Sequence, residues 1–288
     1  MRLLTKRQVL SKPPSAVLIL LIAAVAGLFA AAQDPLRGWK VNAKTGALAL
    51  VAVEESPREI TFLFRNVSGR MITGWAFSFG ADDQRRRTDY RERFGGATEG
   101  LAPGEVDRLS IGSQEVSEYT ERAVETSAVI FADGGSEGSP DLLSNMNYWR
   151  LGWMLETERV KRVLNADGAR KAQMDDANLA ILIQKIGTLP ESPAEAVASV
   201  QEERLPGVAV AEIRRADSQS LRHFLSGVRE ARERGVRKLE QLGSLPVLSS
   251  EPKTRSRASV FSRLRQEYEG LSAKYRAYCE HTRGGTRQ

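Results

Sequence analysis

The sequence predicts an α+β protein: an N-terminal antiparallel β-sandwich followed by an α-helical region. Three observations carry that reading. Before residue 135, apolar residues recur in short runs or at every second position, between clusters of Gly, Pro, Asn and Ser. After residue 140 they recur at spacings of three and four over long stretches. Between the two, residues 123–165 read as a strand, an acidic glycine loop and an aromatic-rich helix.

Taken in order, the chain opens on a leader. Arg2, Lys6, Arg7 and Lys12 precede an uninterrupted apolar run, Ala16 to Ala32, which closes on three alanines ahead of polar Gln33 and Asp34. That is the layout of a cleaved signal peptide over 1–32, and it implies an exported chain, periplasmic or extracellular. The alternative is a single uncleaved N-terminal membrane anchor, since the run falls at the short end of the ~17–25 residues that span a bilayer. Cys279 is the single cysteine, so no intrachain disulfide forms despite export. Charge argues against a nucleic-acid partner. Residues 33–139 hold 13 basic and 17 acidic side chains, and only 246–288, with nine basic against four acidic, is noticeably basic.

The β region is expected over 33–139. Gly46 to Glu54 reads as a buried strand, and Ile60 to Arg65 as a second. Asn66-Val67-Ser68-Gly69 makes a turn, and Met71, Thr73, Trp75, Phe77 and Phe79 alternate with small or polar neighbours. Together these predict a hairpin at 59–80. Residues 82–93, with adjacent Arg85, Arg86 and Arg87 among acidic neighbours, read as a solvated loop with an edge strand. Leu101 to Glu105 is a turn into a strand at 106–111, and Ala123 to Phe131 is the last strand.

Residues 59–80 and 101–111, with their strand into an Asn-x-Ser-Gly turn and their L-x-P-G-E turn, resemble the Ig-like modules of bacterial secreted proteins. The stretch 46–165, including F-A-D-G-G-S-E-G, is similar to uncharacterised exported bacterial proteins with an F-x-D-G-x-x-E-G junction. The resemblance implies an Ig-like β-sandwich and a binding or scaffold module. It transfers no activity.

At the junction, Asp133, Ser136, Glu137 and Asp141 offer oxygen ligands to Ca²⁺, without the alternating acidic pattern of an EF-hand. Helix capping explains more of the residues. Ser139 suits the cap, Pro140 the first helical position, and Asp141 the positive end of the dipole. The helical region over 140–242 then starts with Leu142, Leu143, Met146, Trp149, Trp153, Met154, Val160, Val163 and Leu164 on one broad face. Trp149 and Trp153, one turn apart, are either core or a platform for a ligand such as a sugar.

Residues 167–186 are expected to continue that helix. Ser192-Pro193-Ala194-Glu195 is a capping box for another, ended by Leu205-Pro206-Gly207. A further helical pattern runs from Val208 to Leu242, with Gly227 and Gly235 inviting a kink or a division into two pieces. Residues 243–259 have linker composition. The final segment, 260–288, carries a seam of Phe261, Leu264, Tyr268, Leu271, Tyr275 and Tyr278, a candidate for self-association through 260–280.

Gly134-Gly135-Ser136-Glu137-Gly138 is superficially similar to an esterase elbow, while the phosphate-binding glycine loops and the zinc-helix signature are absent. His223 and His281 have no neighbour at metal-ligand spacing. No catalytic residue, cofactor or metal is therefore assigned. The expected role is non-catalytic, holding a protein or envelope component, with membrane contact only through an uncleaved leader. Two alternatives stand beside it. One is an envelope-sugar hydrolase using Asp133 and Glu137 with the tryptophans as platform. The other is a tethered protein assembling through its last helix.

Overall fold

A computed structural model describes residues 35–80, 87–93, 100–117, 122–168, 175–195, 198, 207–245 and 257–284. The leader, Arg85 and Arg86, the 196–206 region apart from residue 198, and most of the 243–259 linker lie outside the described residues, as do the side chains of Cys279 and His281. Mixed α+β architecture is what the chain adopts. Among the described residues no helix is long and apolar enough to cross a membrane.

Among the described residues eight strands form two sheets. One holds β2 (Leu48–Glu55), β3 (Glu59–Asn66) and β6 (Val106–Gly112), in the order β2-β3-β6. The other holds β1 (Lys40–Ala43), β7 (Ala123–Phe131), β4 (Ile72–Phe79) and β5 (Arg87–Glu92), in that order, with β8 (Ser136–Gly138) paired to β7. Every pairing is antiparallel except β1 with β7. The inner faces meet through Phe62, Phe64, Trp75, Phe77, Phe79 and Phe131, all under 2% exposed.

The hairpin expected at 59–80 does not form. β3 pairs with β2 and β6, while β4 pairs with β5 and β7 in the opposite sheet. Alternation specifies which face of a strand is apolar, not which strand lies beside it. Here the two apolar faces oppose each other across the core: the rings of Phe64 and Phe77 stack at 5.1 Å, and Phe62 meets Phe79 at 4.9 Å. Asn66 fixes this crossover. Its buried amide donates to the carbonyls of Arg70 (2.7 Å) and Leu101 (2.8 Å), and its oxygen accepts from the Ser68 N–H (2.9 Å).

β4 is buried on both faces, because the second sheet is also covered from outside by helix. A register shift between Ile72 and Gly74 makes Thr73 an extra residue, so Ile72 and Trp75 share the inner core although three apart. Thr73 is freed to donate to the Ile130 carbonyl (3.2 Å).

A short helix α1 (Ser113–Ser117) follows β6. α2 (Pro140–Gly168) then lies across the outer face of the second sheet, where Met146, Leu151 and Met154 share a core with Ala76, Ala128 and Ile130. It starts at Pro140, with Asp141 in its first turn. The Ser139 carbonyl accepts from the Leu143 N–H (3.0 Å), ahead of Pro140 and Asp141.

The expected continuation through 167–186 is replaced by a separate helix α3 (Asp176–Gly187), whose Asp175 side chain accepts the Asn178 N–H. The 208–242 pattern likewise divides into α4 (Gly207–Arg215) and α5 (Ser218–Gly243), with Asp217 capping the second through Ser220. Apolar spacing ran through both boundaries because each helix presents its face to one continuous core. Aspartate caps, not changes of hydropathy, mark the starts.

The helix runs unbroken through Gly227 and Gly235. α5 is one helix, and it crosses α2 at paired glycines. A Cβ on Gly227 would run into the Trp149 carbonyl, and one on Gly152 into the Phe224 carbonyl. Glycine is there for close approach of backbones.

α6 (Arg257–Gly284) buries its whole seam, Phe261, Leu264, Tyr268, Leu271, Tyr275 and Tyr278, within this same chain. The apolar face expected to serve self-association is thus already covered. The described residues at both ends of the expected 243–259 linker are in or beside helices.

Candidate binding cleft

β5 is the end strand of the second sheet. Its register with β4 pairs Gly74 with Glu92 and Phe79 with Arg87, and the next pair along is closed by the Arg93 N–H donating to the Thr73 carbonyl (2.9 Å). In an antiparallel ladder such bonding alternates. Arg87, Asp89 and Arg91 therefore turn their main-chain groups toward β4, and Thr88 and Tyr90 turn theirs outward. Among the described residues nothing takes those of Thr88 and Tyr90.

Beside this edge lies a cleft of about 620 Å³, walled by β5, α2 and α5 and reached by Tyr275 of α6. It includes Tyr90, Arg91, Trp149, His223, Glu230 and Arg234. Tyr90 is 38% exposed, its ring meeting His223 edge-on at 5.7 Å, and Asn145 donates to its hydroxyl (3.4 Å). Burial pushes the Tyr90 phenol above its ordinary value; burial and neighbouring Arg222 hold the His223 imidazole below its own.

The two tryptophans both line this cleft, in different roles. Trp153 is 6% exposed, stacked on Tyr275 at 6.3 Å with the Arg234 guanidinium 5.5 Å from its ring. It is mainly core. Trp149 is half-buried, tilted 42° to Trp153 at 5.4 Å, and its Nε1 donates to Glu230 (3.0 Å). Only Trp149 has a substantial surface to offer a ligand.

Charge in the cleft is largely matched. Glu92 takes a two-pronged bond from fully buried Arg150 (2.7 and 2.8 Å), which also donates to Thr73 (3.0 Å) and lies 4.6 Å from the Tyr278 ring. This fork ties β5, α2 and α6 together and holds one wall in place. Arg234 is paired with Glu267 (3.0 Å). Arg91 differs. Among the described residues its one hydrogen-bonding contact is with the Arg108 carbonyl at 3.5 Å, its Nε–H is buried without a hydrogen-bond partner, and no carboxylate pairs with it.

The junction loop stands elsewhere. Asp133 is exposed and held by Arg70 (Nε to Oδ2 2.9 Å), whose hydrogen bond keeps the carboxyl below the usual range. Glu137 accepts from Thr45 (3.1 Å), and Asp141 sits in the first turn of α2. The structure thus gives these candidates separate settings and puts neither Asp133 nor Glu137 in the cleft with the tryptophans, which is the arrangement a hydrolase built on them would require. No group of three metal-ligating side chains is found among the described residues.

Tyr90, Arg91, His223 and Glu230 are functional candidates that sequence reading did not single out. The one available signal was Tyr90, an aromatic residue in an otherwise charged edge strand. Nothing in spacing connects it with a helix some 130 residues on. Comparison with protein-family models, curated proteins and solved structures found no match.

Proposed function

We propose that the chain is an exported, non-catalytic binding protein of the bacterial envelope, and that the cleft between β5, α2 and α5 is its ligand site. One observation carries the reading: an end strand with outward main-chain groups forms the wall of an aromatic, charge-lined cleft. Clefts of some 300–1,000 Å³ with a few convergent polar groups are the usual form of a binding site.

An immunoglobulin-like identity for the two sheets belongs to the same proposal. Its support is topological. Successive strands cross from one sheet to the other at β3–β4 and again at β6–β7, which is the Greek-key habit of such sandwiches. Export rests on the leader. A binding role is supported by the settings of Asp133 and Glu137, each held by another side chain away from the aromatic surface.

The test is site-specific crosslinking in the envelope. A photoreactive amino acid at Tyr90 of the full chain, expressed with its leader, is expected to give discrete adducts. The same group at Val67, exposed on the β3–β4 crossover, is expected to give none. Equal labelling at both positions, or none at Tyr90, contradicts the proposal.

A further inference from the structure

The occupant of the cleft can be specified more closely, on the premise that the cleft is the ligand site. We infer that it takes an extended peptide strand bearing an acidic side chain, which adds to the edge of β5 that is unpaired among the described residues and presents its carboxylate to Arg91.

Three observations lead there. The first is main-chain parity: Thr88 and Tyr90 turn their N–H and C=O groups away from β4, as an incoming strand requires. The second is position. The edge is recessed, with the 620 Å³ cleft on its helical side and a second groove of about 320 Å³ on its other side, where Leu109, Ser110 and Ile111 of β6 and Glu115 of α1 form the wall. Asp89, Tyr90 and Arg91 line both. A strand laid about 4.8 Å beyond β5 would put alternate side chains into the two grooves. A second copy of this chain would instead bring its own α5 and β6 against the same walls, so a single thin strand fits better than another sandwich.

The third observation is charge. Arg91 lines both grooves, has a buried Nε–H without a hydrogen-bond partner and pairs with no carboxylate among the described residues, whereas Arg87 on the same face is satisfied by Asp89 and Glu115. A carboxylate on the added strand would complete Arg91. In strand addition, main-chain bonds supply affinity and the alternating side chains supply selectivity.

The experiment pans a library of random nine-residue peptides, displayed on phage, against the mature full-length protein, and measures the best peptide by fluorescence anisotropy. The expected peptide carries Asp or Glu. N-methylation along it should weaken binding at every second position, by about tenfold or more for each main-chain bond lost. On the protein, Thr88→Pro and Tyr90→Pro should each remove binding while the unbound fold persists, because the lost N–H groups face outward. Arg91→Gln should erase the preference for acidic peptides. The ligand-side scan keeps the test valid should a proline variant unfold.

Enrichment of no peptide, a flat N-methyl scan, or full binding by the folded Thr88→Pro variant overturns the inference. So does saturable binding of a chito-oligosaccharide at Trp149 with no peptide binding, or a dimer in solution joined through β5. Adducts at Tyr90 together with a flat N-methyl scan would leave the cleft as ligand site and remove the strand. Failure of both removes the cleft itself.

Discussion

The space between the sheets and the space inside the helical layer are filled by different chemistry. Between the sheets the core is aromatic and dry: six phenylalanine and tryptophan rings under 2% exposed, packed in stacked, tilted and edge-on pairs. In the helical layer, α2 is buried along residues 150–160, and that stretch carries Arg150, Glu156, Glu158 and Arg159 at 2% exposure or less. Each has a partner outside α2: Glu92 of β5 for Arg150, and the Pro190 carbonyl after α3 for Arg159 (2.9 Å). Glu156 accepts from Arg232 of α5 (2.8 Å) and Arg159 (2.8 Å), and Glu158 from Arg276 of α6 (2.8 Å) and Lys161. A sheet core can be assembled by area alone. A helix surrounded on every side is oriented by paired charges whose geometry admits few alternatives, at a desolvation cost that makes each partner indispensable.

The largest effect is expected where the helical layer has no room. Gly227→Leu forces α5 off α2 at the Trp149 carbonyl and should destabilise by about 3 kcal/mol or more, read from urea unfolding. Arg232→Met leaves Glu156 buried with one partner fewer and should lose roughly 3–5 kcal/mol. Completing an apolar set with Glu156→Leu and Arg159→Met in the same chain should recover much of that, which single-residue additivity would not give. In the dry core, Phe64→Ala should lose about 3–5 kcal/mol with no such rescue available from a charge change.

A pH titration separates the two cores further. Burial pushes the Glu158 carboxyl up, but hydrogen bonds from Arg276, Lys161 and Ser272 outweigh it, and the net position is below the usual glutamate range. A depressed folded value means stabilisation that is present at neutral pH and is lost as pH falls through that value. Wild type should therefore exceed Glu158→Gln most in Tm at pH 7, and the gap should close below about pH 4. Phe64→Ala should show a gap that does not change with pH. The smallest effect belongs to the surface: Arg108→Ala, removing an exposed pair with Glu54, should stay within about 0.5 kcal/mol.

The same contrast explains what was legible beforehand. Phe62, Phe64, Trp75, Phe77 and Phe79 announce a two-sided apolar interior through alternation, and Ser139-Pro140-Asp141 announce a helix start. Strand partnership was not legible: β3 and β4 both alternate, and only the loop held by Asn66 sends them to different sheets. Nor was Gly227 of α5, whose purpose lies 75 residues away at Gly152. Of the site, Trp149 was visible as an aromatic on a helix. The edge strand that gives it a neighbour was hidden among charges, because a natural edge carries charge to discourage pairing at random.

The most direct test of the account is amide-resolved hydrogen exchange along β5, with and without the acidic peptide selected on the protein. In the free protein Thr88 and Tyr90 should exchange readily while Asp89 and Arg91, bonded to β4, are protected; with peptide bound, Thr88 and Tyr90 should become protected as well. Equal protection of all four amides in the free monomer, or no change at Thr88 and Tyr90 when the peptide binds, would contradict it.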